Sequence, residues 1–135
     1  MNEQIYYKTA DCCILVFDKT DKDSFKECQI YYRDKIKESC KSDVKVILVG
    51  NKIDLENEIK VSYEEAANFA LLNDYLYIET SCARNKNVFE AFEKIIGLKY
   101  LSFKEQENQK YKKYKDEKNE KNEKYSIKLL KYYNK

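Results

Sequence analysis

The 135-residue chain contains no histidine and no C-x-x-C pair, although it has five cysteines. Zinc and haem sites are built from those ligands, so neither chemistry has support. Glycine is almost absent as well, with Gly50 and Gly97 the two that occur. A phosphate-cradling loop, G-x-x-x-x-G-K-[ST], needs glycines so that backbone N–H groups can approach the phosphates, and neither glycine stands in that frame. An Asp-x-x-Gly metal and phosphate switch is also missing, because the residues three before the glycines are Ile47 and Lys94. No apolar run approaches the roughly 18 residues of a membrane span. The start, Met-Asn-Glu-Gln, has neither the basic nor the apolar region of a signal peptide. These absences point to the cytoplasm, with Cys12, Cys13, Cys28, Cys40 and Cys82 expected as buried, reduced thiols.

The length suits one domain with its own core. With 26 basic and 24 acidic residues, net charge singles out no nucleic acid or other partner. Its distribution is more informative. From Tyr100 onward there are 11 lysines and 6 acidic residues, a net of +5, whereas residues 1–99 carry 15 basic and 18 acidic, a net of −3. Two materials are expected: a domain over 1–99 and a Lys/Glu/Asn/Tyr-rich extension over 100–135.

Three apolar runs read as strands: Cys12 to Phe17, Val44 to Val49, and Tyr75 to Ile78. They are near-continuous rather than alternating, as in parallel strands covered by helices on both faces. The segments between them are long enough for helical crossovers. After Asp21, a stripe of Phe25, Cys28, Tyr32 and Ile36 predicts one helix. Ser62-x-x-Glu65 is a capping box for a second, with Ala66, Phe69 and Ala70 inside. A third starts at Asn87 as its cap, with Glu90 in the reciprocal position and Val88, Phe92 and Ile95 as its apolar face. The order βαβαβα predicts an α/β fold, a three-layer, doubly wound and mostly parallel sheet.

In such sheets ligands bind beyond the carboxyl ends of the strands. Two loops lie there, Asn51-Lys52-Ile53-Asp54 and Glu79-Thr80-Ser81-Cys82-Ala83. A carboxylate at Asp54 can accept from the ring N1–H and the 2-amino group of guanine, whereas adenine offers neither donor. Such a site rejects the wrong base by a factor on the order of 10⁴. Asn51 is expected to tie the loops together or reach the N7 edge, and the Lys52 stem to lie along the ring with its head in water. Backbone N–H groups of Cys82 and Ala83 are expected to donate to guanine O6. Alone, N-K-x-D in a chain rich in Asn and Lys reads equally well as a chance match on a solvated loop; two such loops at adjacent strand ends do not.

These stretches resemble the Rab-type small GTPases of the Ras superfamily. "YYKTADCCILVFDKTDKDSF" (6–25) is similar to the family's segment from its second helix through its fourth strand into its third helix. "VILVGNKIDL" (46–55) is similar to the base-specificity strand and loop, and "ETSCARNKNVFEAF" (79–92) to the last nucleotide loop and final helix. The likeness runs from about residue 5 to 98, with one departure: the family's S-A-K reads Ser81-Cys82-Ala83. It implies a partial P-loop NTPase fold, GTP or GDP as ligand, protein partners, and a vesicle-traffic switch at endomembranes. The family's phosphate loop, magnesium ligands, first switch and catalytic glutamine have no counterpart in residues 1–135, so GTP hydrolysis by these residues unaided is not expected. Nor is a prenylated C-terminal cysteine present, since the last cysteine is Cys82. The family's first three strands and first helix are expected to lie upstream of Met1, leaving Cys12 to Phe17 as a bare apolar edge prone to self-association and poor solubility.

The extension is expected to be partly helical. Its last eleven residues set Tyr125, Leu129, Leu130, Tyr132 and Tyr133 against Lys124, Lys128, Lys131 and Lys135, which permits weak contact with an anionic membrane surface. Two other readings stand beside a GTPase part: a degenerate GTPase that binds proteins through its helices or open edge without nucleotide, and a membrane-surface role for the tail.

Overall fold

A computed structural model of the chain describes the backbone of residues 3–133 and the side chains of 5–121, 123 and 124. Three strands form one parallel sheet: β1 (Cys12–Asp18), β2 (Lys45–Asn51) and β3 (Leu76–Glu79), in that spatial order. Leu15 pairs with Leu48 and Val49 with Ile78, so β2 is central. The helices are α1 (Glu3–Thr9), α2 (Lys22–Glu27), α3 (Arg33–Ser39), α4 (Tyr63–Leu72) and α5 (Val88–Tyr133). The chain divides into two compact units, Met1–Lys99 and Tyr100–Lys135. The second is helical, and nearly all its described side chains are exposed. The side chains of the Tyr125 to Tyr133 face lie outside the described residues.

Alternation along each strand builds the three layers. Leu15, Phe17, Val46 and Leu48 point to one face, where Phe25, Cys28, Ile36, Val61, Ala66 and Ala70 cover them. Ile47 and Val49 point to the other, under Ala91 and Ile95 of α5. Asp21 starts α2 by accepting the Asp23 N–H at 3.0 Å, and Ser62 starts α4 by accepting the Glu65 N–H at 3.1 Å. Each such cap is worth about 1 kcal/mol.

Four expectations are corrected. Tyr32 leaves the buried stripe and is 38% exposed. Residues Cys28–Tyr32 form a wider π-helical turn between α2 and α3. The extra residue per turn shifts the phase, and Ile36 returns to the core. On α5 the close contact is Ala91 rather than Phe92, which is 49% exposed; a small side chain lets the helix approach Ile47 and Val49. Asn87 does not act as a side-chain cap: its φ is +58° and its amide donates to the Glu79 carbonyl at 2.9 Å. Among the cysteines only Cys28 is fully buried, Cys82 is exposed, and all five are free thiols.

The covering is also uneven. Ile14 and Val16, on the α5 side of β1, are 36% and 55% exposed, because α5 meets β1 only at its start, at Cys12. The edge CCILVFD carries no lysine or proline that would discourage another strand from pairing. Val16→Lys is expected to reduce self-association with little loss of stability, since the site is already in contact with water. Light scattering against concentration checks this, with unchanged scattering counting against the edge as its cause.

Candidate functional site

The carboxyl ends of the three strands carry the chemistry. At the end of β2 the backbone turns sharply, with Lys52 at φ +69°, and the loop is fastened from both sides. Ile53 N–H donates to the Thr80 carbonyl at 3.2 Å, and Thr80 N–H donates to the Gly50 carbonyl at 2.9 Å. Downstream, the Lys60 and Val61 N–H groups both donate to the Lys19 carbonyl. The loop after β3 is closed by a two-way bridge between Ser81 and Lys86, with Asn85 at φ +48° making the turn.

Side chains then join the two loops. Asn51 Oδ1 accepts from Thr80 Oγ1 at 3.0 Å and from Cys82 N–H at 3.2 Å. The fully buried Ser81 hydroxyl donates to Asp54 Oδ1 at 2.6 Å and accepts the Arg84 N–H at 3.1 Å. That donation, aided by Arg84 and Lys52, holds the Asp54 carboxyl below the usual carboxylate range. Asp54 is therefore an ionised acceptor at neutral pH. A carboxylate offers about four acceptor positions, so Ser81 leaves room for further donors.

Two details differ from expectation. The Lys52 side chain, 50% exposed, also pairs its ammonium with Asp18 Oδ2 at 2.5 Å, which raises its pKa. Burial pushes the Asp18 carboxyl up, but hydrogen bonds from Lys52 and from Thr20 outweigh it and hold the carboxyl low. The Cys82 N–H is committed to Asn51 and is not aimed at a ligand, which leaves Ala83 as the sole remaining N–H of the expected pair.

Residues that sequence reasoning passed over also shape this edge. Asp18 ends the first apolar run, and the D-x-T spacing to Thr20 is a recognisable Asx turn. Thr80 is buried and holds Asn51. Beneath the loops Lys19, a buried lysine, contacts Glu79 Oε1, which also accepts the Tyr77 hydroxyl at 2.9 Å. Lys19 continues the alternation of Leu15 and Phe17 onto the same face, one residue past the strand.

Among the described residues no cluster of three or more acidic or cysteine side chains is placed to hold a metal. No described helix is long and apolar enough to cross a membrane.

Sheet order, helical crossovers and the two cross-linked loops define a class, the α/β fold of Rab/Ras-type small GTPases, in part. Comparison with known proteins agrees. The Ras family model matches residues 1–100, and the chain belongs to that family. It is 44% identical over 90 residues to the Ras-related protein Rab-2B of Dictyostelium discoideum, covering 66% of this chain and 44% of the relative. It is 40% identical over 91 residues to mouse Ras-related protein Rab-17, covering 67% and 42%. With the Ras-like protein 1 of Saccharomyces cerevisiae it is 39% identical over 114 residues, covering 78% and 36%. The chain thus spans less than half the length of each of these relatives.

Proposed function

We propose that Asp54 and its supporting shell recognise the base of a guanine nucleotide. The carrying observation is the Ser81 to Asp54 hydrogen bond at 2.6 Å, with Asn51 bridging Thr80 and Cys82. Together they hold an ionised carboxylate at the strand edge before any ligand arrives. Asp54 accepts from the N1–H and 2-amino groups, and the Ala83 N–H is the donor toward O6. Lys52, held by Asp18, lays its stem beside the ring.

The residues fit a base and do not fit a triphosphate or its magnesium. Nothing in residues 1–135 reproduces a glycine-rich phosphate cradle, and no acidic cluster stands ready for a divalent ion among the described residues. We therefore assign no hydrolytic step to these residues. They read as the base-recognising part of a small GTPase domain, over 1–99, with the remaining family activity and its vesicle-traffic role dependent on parts supplied elsewhere. The extension over 100–135 is assigned no nucleotide contact.

Isothermal calorimetry with guanosine tests this. Weak binding of guanosine and none of adenosine are expected. Asp54→Ala removes two charge-assisted hydrogen bonds and weakens guanosine roughly 100-fold. Equal binding by the variant sinks the assignment. A second reading, a protein-binding module without nucleotide, is favoured by the exposed Ile14 and Val16 on the β1 edge. It predicts no guanosine heat at all.

A further inference from the structure

We propose that Cys13 and Cys40 form a dithiol that an oxidant closes into a disulfide, tying the end of α3 to the start of β1. Their sulfurs lie 3.9 Å apart across 27 residues of sequence. That distance exceeds an S–S bond by about 2 Å.

Pairing is specific because of strand alternation. Cys12 is adjacent in sequence but points to the opposite face, where its thiol faces the Ile95 carbonyl. Cys28 is fully buried against the Val16 carbonyl. Cys82 lies in the loop beyond β3, at the other end of the sheet from Cys40. Cys13 therefore has one thiol neighbour. Both residues are partly exposed. Cys13 lines a groove of about 480 Å³ with Tyr7 and Tyr32, and Cys40 lines another with Val44 and Tyr75.

A third group stands beside the pair. The Tyr75 hydroxyl is buried without a hydrogen-bond partner, and both cysteines bear on its ionisation. Burial pushes the Cys13 thiol up to about 12, with Cys40 adding to the rise, so the resting pair is protonated and stays reduced until an oxidant acts. Hydrogen peroxide is the class of oxidant that fits these openings. One cysteine thiol loses its proton as its sulfur takes one peroxide oxygen, and the proton and the departing hydroxide leave as water, giving a sulfenic acid. The second thiol attacks that sulfur and expels water. In sum, two thiols and one peroxide give one disulfide and two waters.

The test uses the full chain, reduced, then treated with a small excess of hydrogen peroxide, quenched in acid, alkylated and digested. Expected are an intact mass lower by two hydrogens, a cross-linked Cys13–Cys40 peptide, and alkylated Cys82. The oxidised chain should melt about 5 °C or more higher, reversibly with dithiothreitol. Cys12→Ser should keep the cross-link and Cys40→Ser should lose it. Separate sulfinic acids on Cys13 and Cys40, alkylation of both, or an unchanged Tm overturns the proposal. The wild-type peptide map decides even if a variant fails to fold.

Discussion

Glu79→Ala is expected to destabilise the domain by about 3–5 kcal/mol, the cost of leaving one member of a buried ion pair without its partner. The Lys19 side chain is only 5% exposed, and its ammonium contacts Glu79 Oε1. Removing the carboxylate leaves a positive charge out of water and takes the acceptor from the Tyr77 hydroxyl. The effect should be lopsided. Lys19→Met deletes the buried charge itself, and the Glu79 side chain, 23% exposed, can be hydrated while keeping Tyr77. Urea midpoints should therefore fall much further for Glu79→Ala than for Lys19→Met; equal shifts would falsify the account. Against a typical total of about 5–15 kcal/mol, the larger loss leaves much of the chain unfolded.

The same spot makes Gly50→Ala the second large effect, at about 1–3 kcal/mol from overpacking. A Cβ there would stand 2.8 Å from the Tyr77 hydroxyl, 3.0 Å from Phe17 Cζ and 3.2 Å from Lys19 Cγ. Gly50 has no left-handed backbone to accommodate, so close approach alone demands the glycine. Relief must come from the Tyr77 ring, which is held by Glu79 and stacked near Tyr63. In a Tyr77→Phe background the atom met first is gone, and the penalty of Gly50→Ala should shrink. Such non-additivity is the signature of a shared contact. Additive changes in thermal midpoint would instead point to a backbone cause.

What could be read from residues alone follows from the range of the forces involved. The runs ending at Phe17, Val49 and Ile78 announced three strands by their continuous apolar character, although only β2 is buried on both faces. Ser62 and Glu65 announced α4 because a cap is a local device. Tyr32 and Phe92 misled for the opposite reason. Whether an apolar side chain on a helix is covered depends on what lies under it, and the ground beneath these two is open or already taken by Ala91. In the site, Asn51, Asp54 and Ser81 were legible as a set because their order along two strand ends is fixed by topology. The Asp18 partner of Lys52 was not, since it depends on how β1 lies beside β2, a relation with no local signature.

The position of β2 has a further meaning for time. It is the one strand with a neighbour on each side among the described residues, and Val46 to Gly50 are all buried. Its amides can open only when the sheet as a whole comes apart, whereas the outer edge of β1 can breathe on its own. The Asn51 loop is thus rooted in the slowest part of the molecule. Fluctuations that expose the rim of the sheet pass by without loosening the carboxylate that waits at its end.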